Sequence, residues 1–414
     1  MAQSVKGMRD LFGPVMGDFQ LIEDTARRVF SQHGYGEIRT PILEYTEVFK
    51  RSVGDSSDIV NKEMYEFKDR GDRSVVMRPE NTAAVVRAMI EHKLLLSNDP
   101  QLLYYIGPMF RYERMQAGRY RQFWQIGAEV FGSSTPECEA ENLVMLFDFL
   151  QGLGLKQLKL TLNSVGTPES RPAFYAAFRA FFDEREAQFC GDCHRRVAEN
   201  PMRVLDCKNE GCQAALQGHP LITDFLDEAS RAHHDRLKGL LTSLGIPFEE
   251  NPRLVRGLDY YTRTAFEVLS SDLGAQSALL GGGRYDGLVK HLGGPDTPAF
   301  GWAIGLDRLA MILAAVRGEQ TAPRPALLIP MGEKAATEAL RLARGWWAQG
   351  AAVQVETRGA NLKKALQTAN RMGFTRALIL GDGELEQGVV AAKDLAAGTQ
   401  ETWAFDEVVG RLRS

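Results

Sequence analysis

The chain has 414 residues, of which 44% are hydrophobic and 25% are charged, and its formal net charge at pH 7 is −4. This balance is typical of a soluble globular protein, and the length predicts about two to four domains. The net charge does not indicate a protein that coats nucleic acid, although local basic surface would suffice to bind the ends of a folded RNA. No apolar run approaches the roughly 20 residues that cross a bilayer, and the N-terminus lacks the apolar core of a signal peptide, so we expect a cytoplasmic protein.

The first 92 residues predict a helix, an extended segment and a second helix. Apolar residues between 19 and 30 recur at helical spacing, and Gly34 is placed to end that helix. Residues 37–45 are predicted to be extended, and residues 82–92 are predicted to form the next helix.

Residues 122–131 carry the most informative local pattern, because the hydrophobic period there is two. The even-numbered positions 124–130 are apolar, whereas Gln125 and Glu129 share the opposite face with a glycine between them. A sheet with one face in water shows the same alternation, so this pattern alone does not identify a site.

The segment before it, 103–113, is predicted to form the other strand of a long antiparallel hairpin. A basic loop at 114–121 would connect the two strands. The same strand parity places Arg111 and Glu113 on one face.

The second half of the chain begins with a mainly helical stretch, 168–250. Strands are predicted at 264–270 and 277–280, followed by the glycine run 281–283. This run is neither a P-loop nor a dinucleotide fingerprint. It could be a simple turn, or backbone that approaches a ligand closely, and we favour the second interpretation.

Residues 317–325 are polar and rich in proline, which is typical of a linker. From residue 326 onward the pattern alternates strand, helix, strand, helix, strand. This alternation predicts a small α/β domain with its own core.

Four of the five cysteines are clustered, as Cys190-x₂-Cys193 and Cys207-x₄-Cys212. This is nearly the spacing of a structural Cys₄ zinc site, and His194 adds a possible further donor. Free buried thiols are the alternative, and the spacing does not decide between the two.

Taken together, several segments resemble the histidyl-tRNA synthetases, a family of class II aminoacyl-tRNA synthetases, over nearly the whole chain. Residues 34–41, 110–114 and 301–308 are similar to class II motifs 1, 2 and 3, which many synthetases share. Two segments are more specific. Leu254-Val-Arg-Gly-Leu-Asp-Tyr-Tyr261 and Leu280-Gly-Gly-Gly-Arg-Tyr-Asp-Gly-Leu288 resemble the two signatures peculiar to the histidine enzymes.

The resemblance implies a histidine pocket around the second strand of the hairpin. Arg78-Pro-Glu-Asn-Thr82 is similar to the family's histidine-binding stretch, which usually has glycine where this chain has Asn81. Burying a carboxylate between apolar neighbours costs free energy unless the carboxylate is paired. The resemblance implies that Glu129, beside Tyr261, accepts a hydrogen bond from the imidazole N–H of histidine. The histidine-binding residues implied in this way are Glu80, Thr82, Gln125, Glu129, Tyr260, Tyr261 and Tyr285.

The chemistry of histidine activation requires positively charged side chains such as arginine next to this pocket. The histidine carboxylate attacks the α-phosphorus of ATP, and both groups are anionic, so fixed positive charge is needed. The resemblance implies Arg111 at the α-phosphate, Arg308 at the γ-phosphate and over the adenine, and Glu113 at the adenine amino group. It also implies Arg256 at the reacting centre, so Arg111 and Arg256 are the expected catalytic residues. Mg²⁺ would accompany ATP as its charge partner.

The expected architecture follows from the same resemblance. An α+β catalytic domain, an antiparallel sheet flanked by helices, would occupy 1–167 and 251–318. A helical insertion would occupy 168–250, and an α/β anticodon-binding domain would occupy 325–414. The expected partners are the histidine tRNA, L-histidine, ATP and a second copy of the chain, and the expected tRNA contacts include Gln116 and Arg119.

Two alternatives share the fold. A regulatory, synthetase-like subunit of ATP phosphoribosyltransferase would bind histidine without activating it, but such proteins lack the anticodon domain and erode the histidine signatures. Another class II synthetase, for proline, threonine or glycine, is disfavoured by Glu129, Arg256, Tyr260 and Tyr261, which suit an imidazole.

Overall fold

The computed structural model describes residues 2–53, 57, 59–97, 99–116, 118–257, 260–272, 277–318 and 324–413. The chain divides into two compact units, Met1–Gln320 and Thr321–Ser414. This division falls inside the predicted linker, of which residues 319–323 lie outside the described residues.

The helices and strands of the first unit follow in chain order. They are α1 (Pro14–Gln32), β1 (Gly36–Glu37), β2 (Leu43–Tyr45), α2 (Thr46–Val53), β3 (Tyr65–Lys68), β4 (Ser74–Met77), α3 (Thr82–Glu91), β5 (Gln101–Phe110), β6 (Gln122–Phe131), α4 (Pro136–Gly152), β7 (Leu158–Ser164), α5 (Arg171–Asp183), α6 (Gly191–Glu199), α7 (Glu210–Ala215), α8 (Glu228–Ser243), β8 (Phe248–Glu250), β9 (Thr262–Ser270), β10 (Ser277–Arg284), α9 (Leu288–His291), β11 (Ala299–Gly305) and α10 (Leu306–Arg317).

A large sheet organises this unit, with eight strands among the described residues in the order β1-β5-β6-β11-β10-β9-β7-β8. The two outermost pairs, β1 with β5 and β7 with β8, are parallel, and every pair between them is antiparallel. A separate small sheet, β2-β4-β3, is antiparallel. The first unit is therefore the predicted antiparallel sheet flanked by helices.

The predicted hairpin is present as β5 and β6, and both faces of the sheet are covered there. Ile126, Ala128 and Val130 pack into one core beneath α1 and α4. Tyr105 and Phe131 belong to a second core on the other side, which includes residues of α3 and α5. The side chains opposite the apolar stripe are consequently buried in protein instead of facing water.

Strand β5 ends at Phe110, three residues earlier than the sequence predicts. Arg111 and Glu113 therefore lie at the start of the connecting segment and not on the strand. The first helix agrees with its prediction: α1 begins with Pro14 in its first turn and is followed by Gly34 at φ 81°, a conformation that glycine adopts without strain.

The glycine run 281–283 lies inside strand β10, so the turn interpretation is wrong. A side chain at Gly281 would overlap the guanidinium of Arg256, which packs against this stretch of strand. The glycines thus allow close approach of neighbouring groups, which is one of the physical reasons for glycine in a strand interior.

The stretch 168–250 is mainly helical, as predicted, and its last part joins the large sheet. Helix α8 contributes Leu237 and Leu241 to the core under α4. Strand β8 pairs in parallel with β7. Helices α5 to α7 are the part of this stretch that packs with the second core.

The second unit contains β12 (Ala326–Pro330), α11 (Glu333–Ala348), β13 (Val353–Val355), α12 (Leu362–Arg371), β14 (Arg376–Leu380), α13 (Asp382–Gln387), β15 (Val389–Asp394), β16 (Gln400–Ala404) and α14 (Val408–Arg413). Its strands form one sheet in the order β13-β12-β14-β15-β16, parallel for the first three and antiparallel for the last two. This is the predicted α/β unit, with α13 as a helix that the sequence pattern did not reveal. Within the described part of the chain, no helix is both long and apolar enough to cross a membrane.

Candidate active site

Glu129 is a fully buried carboxylate in the middle of β6. Its Oε1 accepts a hydrogen bond from Thr82 Oγ1 at 2.7 Å, and its Oε2 accepts one from the hydroxyl of Tyr285. Burial raises the pKa of Glu129 to about 8, although both hydrogen bonds favour the ionised form. The side chain that the sequence predicts at the centre of a pocket is thus buried, bonded and close to its titration point at neutral pH.

Two further polar groups beside Glu129 have unused hydrogen-bonding capacity. Gln125 is 9% exposed, and its Oε1 has no hydrogen-bond partner among the described residues. The same holds for the hydroxyl of Tyr105, a buried residue of β5. Buried polar atoms are normally satisfied, so such a pair points to a ligand.

Tyr105 is a site residue that the sequence analysis missed. It lies opposite Gly127 in the β5–β6 register, and a Cβ at Gly127 would overlap its ring. A glycine in the middle of a strand was the available signal, because it marks a place where another group comes close.

Three tyrosines predicted from the family signatures meet next to Glu129. The ring centroids of Tyr260 and Tyr261 are 4.8 Å apart, and those of Tyr260 and Tyr285 are 5.5 Å apart. Burial raises the pKa of all three phenols, so they remain neutral hydrogen-bond donors. We call the set Thr82, Tyr105, Gln125, Glu129, Tyr260, Tyr261 and Tyr285 the carboxylate pocket.

Glu80 is buried nearby, but its carboxylate oxygens accept hydrogen bonds from backbone N–H groups at the start of α3. Oε2 accepts from the backbone N–H of Thr82 at 2.6 Å, and Oε1 accepts from that of Ala83 at 3.0 Å. Burial raises the pKa of Glu80. In this structure the residue fixes the N-terminus of the helix that carries Thr82.

Asn81 replaces a glycine that the family usually has, and its backbone conformation is ordinary at φ −117°. The amide oxygen accepts from Thr40 Oγ1 at 2.7 Å and from Arg78 Nη1 at 3.1 Å. The substitution therefore adds a buried link between the motif 1 segment and the histidine-binding stretch.

Arg111, Arg119 and Arg256 line a cavity of about 410 Å³, whereas the predicted Arg308 is not among its lining residues. Its charged lining residues are Glu63, Arg111, Glu113, Arg119, Arg196, Arg203, Asp206 and Arg256. We call this space the arginine cavity. Arg196 and Arg203 come from the helical stretch 168–250, and the sequence analysis did not identify them.

Arg111 is held in a fixed orientation at the wall of this cavity. Its Nε donates to the carbonyl oxygen of Pro79 at 2.8 Å, and its guanidinium lies 5.4 Å from the ring centroid of Phe123. Glu113 lies between two arginines, with oxygens 3.6 Å from Arg111 Nη1 and 3.9 Å from Arg119 Nη1. Arg111, Glu113 and Arg119 thus meet at one wall of the cavity.

Arg256 is positioned by Glu267 of β9, which receives a hydrogen bond from its Nη1. The Nε of Arg256 has no partner among the residues that the structure describes. Glu267 was not identified from the sequence, although a carboxylate between Phe266 and Val268 in a strand was a visible signal.

Arg308 lies at the start of α10, and its backbone passes below the connecting loop of the hairpin. A Cβ at Gly118 would be 3.8 Å from the Arg308 Cα. Burial, and then the charge of Arg119, lower the pKa of Arg308, although it stays a cation at neutral pH. Gln116 is exposed on the same loop, and its carbonyl accepts from the N–H of Arg119 at 2.9 Å.

A small cavity of about 20 Å³ lies between the two parts of the site. Arg203, Arg256 and Tyr261 are among the residues that line it. Arg256 thus belongs to the arginine cavity and also faces the tyrosines of the carboxylate pocket.

Arg284, inside the second histidine signature, is structural. It has no exposed side-chain surface, and its Nε donates to Glu139 of α4 at 2.6 Å. The other oxygen of Glu139 accepts from Thr264 at 2.6 Å. This buried ion pair joins α4 to strands β9 and β10.

The four clustered cysteines also come together in space. Their sulfur atoms all lie within 4.8 Å of one another, and Cys193, Cys207 and Cys212 are buried. His194 is not part of this group; its Nδ1 lies 3.7 Å from a carboxylate oxygen of Glu186.

An antiparallel sheet flanked by helices, with motif 2 arginines around a cavity and motif 3 at the start of α10, defines the catalytic domain of a class II aminoacyl-tRNA synthetase. Comparison with known families agrees: residues 7–171 and 194–309 match the histidyl-tRNA synthetase model, and residues 326–414 match an anticodon-binding domain. The chain therefore belongs to the histidyl-tRNA synthetase family.

Individual relatives cover the whole chain. The histidine–tRNA ligase of Solibacter usitatus is 47% identical over 100% of this chain and 99% of its own. The one from Desulfitobacterium hafniense is 45% identical over 98% and 97%. The crystal structure of apo histidyl-tRNA synthetase from S. aureus superimposes with a TM-score of 0.83 at 36% identity, covering all of both chains.

Proposed function

We propose that this chain is a histidine–tRNA ligase that works in two steps. In the first, the carboxylate of L-histidine attacks the α-phosphorus of ATP, and pyrophosphate leaves to give histidyl-adenylate. In the second, a hydroxyl at the 3′ end of the tRNA attacks the histidyl carbonyl, and AMP leaves. The observation that carries this proposal is a buried, hydroxyl-bonded Glu129 next to an arginine-lined cavity.

The carboxylate pocket selects the imidazole. Glu129 accepts from one ring N–H, and the tyrosine hydroxyls serve the other ring nitrogen. Glu80, Thr82 and Gln125 hold the α-amino group, and the unpartnered Gln125 Oε1 supports this assignment. The small cavity beside Tyr261 has about the volume of one water molecule, so we expect side chains around it to move when histidine binds.

The arginine cavity holds the triphosphate and stabilises the charge that develops at the α-phosphorus. Arg111 and Arg256 grip oxygens with planar forks that stay protonated at neutral pH. Glu113 accepts from the adenine amino group, and Arg308 binds the γ-phosphate. Mg²⁺ offsets part of the phosphate charge when ATP is bound.

The tRNA is recognised at both ends. Gln116 and Arg119 contact its acceptor end: Arg119 lines the arginine cavity, and Gln116 pairs with Arg119 on the same loop. The second unit binds the anticodon, in keeping with the anticodon-binding family that it matches.

The active form is a cytoplasmic homodimer that pairs through the motif 1 region. Exposed apolar side chains on the small sheet support this assembly, since apolar surface rimmed by polar groups is typical of an interface. These side chains are Ile42, Leu43, Tyr45 and Phe67, with 43–50% of their surface exposed.

Charging of total tRNA with each of the twenty amino acids tests the proposal. We expect histidine alone to be esterified to tRNA. A chain that binds histidine yet charges no tRNA and consumes no ATP would be the regulatory, non-catalytic kind of protein. A chain that charges tRNA with proline, threonine or glycine would contradict the assignment of the carboxylate pocket.

A further inference from the structure

Four cysteines converge in the segment 190–212, outside both parts of the active site. Cys190 precedes α6 and Cys193 lies in its first turn, while Cys207 follows a short 3₁₀ helix and Cys212 lies on α7. Sulfur–sulfur distances from Cys190 are 3.7 Å to Cys193 and 3.9 Å to Cys207. These separations are far longer than the roughly 2.05 Å of a disulfide, so the thiols are free.

The two sulfur separations measured from Cys190 fit a tetrahedral metal site. With Zn–S bonds of about 2.3 Å, two sulfurs of a tetrahedron are about 3.8 Å apart, close to the two separations measured here. Chance packing of apolar thiols explains one or two buried cysteines, but not four sulfurs within 4.8 Å of one another. The backbone N–H of Cys190 also points at Cys212 Sγ, 3.2 Å away, as donors to metal-bound thiolates do.

Helices α6 and α7 have few anchors besides the cysteines, whereas the 3₁₀ helix between them packs Met202 and Val204 into the second core. Helix α6 has nine residues and α7 has six, which is too short for either to be stable alone. Cys193 is the one buried residue of α6, and Cys212 is one of two in α7. The cysteines are therefore the main anchors of both helices, beside the partly buried Val197 of α6 and the buried Ala215 of α7.

We propose that Cys190, Cys193, Cys207 and Cys212 bind one Zn²⁺ ion, which holds the intervening segment against the arginine cavity. That segment, residues 194–206, carries Arg196, Arg203 and Asp206, all of which line the cavity. Arg203 Nη2 also reaches the carbonyl oxygen of Gly257, next to Arg256, at 3.4 Å. The ion is structural: it lies outside the reacting centre and anchors the helix that carries Arg196, one of the five arginines that line the cavity.

The metal site is tested on the purified full-length chain without reference to activity. We expect about one zinc per chain by mass spectrometry, and d–d and thiolate-to-metal absorption bands after replacement with Co²⁺. Cys193→Ser and Cys207→Ser should each lose the metal, whereas Cys138→Ser, which changes the fifth cysteine on α4, should keep it. A wild-type chain that carries no zinc, and gives no such bands with Co²⁺ under reducing conditions, overturns the proposal.

Hydrogen exchange tests whether the ion positions the segment. In Cys207→Ser we expect the amides of 191–212 to exchange at least about tenfold faster than in Cys138→Ser, with β5 and β6 unchanged. Exchange at 191–212 that matches the control overturns the positioning role, even if zinc is bound.

The proposed effect of the zinc ion on catalysis rests on the proposed function, and the KM for ATP measures it separately. Loss of the metal should raise the KM for ATP several-fold, because the helix that carries Arg196 loses an anchor. A zinc-loaded wild-type chain that activates no amino acid would contradict the proposed function and leave the metal site standing. A wild-type chain that is purified without zinc and still activates histidine normally would contradict the metal site and leave the proposed function standing.

Discussion

The carboxylate pocket and the arginine cavity adjoin each other at Arg256, yet they differ in their access to water. Glu129 has no exposed surface, whereas the side chains of Arg111 and Arg256 keep 20% and 24% of theirs. Hydrogen bonds discriminate most strongly where no water can replace a missing partner. Charges that bind a triphosphate need a route in and out. Under the proposed function, the difference in burial therefore separates selection of the amino acid from its reaction with ATP.

Removing the charge at the boundary should produce the largest effect. We expect Arg256→Ala to lower histidine-dependent ATP–pyrophosphate exchange by about 10²–10³-fold, because one donor to transition-state charge is lost. Circular dichroism should show an intact fold. Arg341→Ala, on an exposed helix position of the second unit, is the matched control and should exchange normally. Near-normal exchange by Arg256→Ala would refute its role.

Replacing the carboxyl group in the dry pocket should affect histidine binding and not ATP binding. Glu129→Gln keeps the shape but weakens the acceptor, so we expect the KM for histidine to rise about 10–100-fold, in line with the strength of hydrogen bonds to charged groups. The KM for ATP should change little. Glu249→Gln, which changes an exposed carboxylate on β8, is the control. Equal rises in both KM values would mean that the two regions are not separate.

The raised pKa of Glu129 predicts that histidine binding depends on pH. Below about pH 8 the free pocket holds a proton that must leave before the carboxylate can accept from the imidazole N–H. Raising the pH from 7 to 8 should therefore tighten histidine binding by roughly fivefold, with proton release that calorimetry detects in buffers of different ionisation heat. The Glu129→Gln variant should show no such dependence; a dependence that persists would assign it to another group.

The smallest effect is expected from the unpredicted tyrosine. Tyr105→Phe removes a buried hydroxyl that lacks a partner, so thermal stability should stay the same or rise slightly. Histidine binding should weaken only a few-fold, on the order of 0.5–1 kcal/mol, if the hydroxyl contacts the ligand. Unchanged affinity in titration calorimetry would restrict Tyr105 to packing against Gly127.

Much of this arrangement could be predicted from the sequence, because local patterns encode strands and family signatures encode motifs. The alternation in β6 predicted that Gln125 and Glu129 share a face, and the structure confirms the strand. The two-sided burial of that strand could not be predicted, since it depends on α3 and α5, which are distant in sequence.

The residues that were missed share this cause. Arg196 and Arg203 reach the arginine cavity from a helical stretch whose placement no local pattern reveals. Glu267 and Tyr105 acquire their meaning only from the groups opposite them, Arg256 and Gly127. A turn remained one possible interpretation of the glycine run 281–283. In a sequence, glycines that allow a neighbouring side chain to approach cannot be distinguished from glycines that form a turn.

Amino-acid-dependent exchange of pyrophosphate into ATP tests the central claim most directly, since it reads the pocket and the cavity in one assay. The account predicts exchange with histidine and background rates with the other amino acids, including proline, threonine and glycine. Exchange with any other amino acid at a comparable rate would contradict the role of the carboxylate pocket. No exchange with any amino acid, in a chain that still binds histidine, would contradict the role of the arginine cavity.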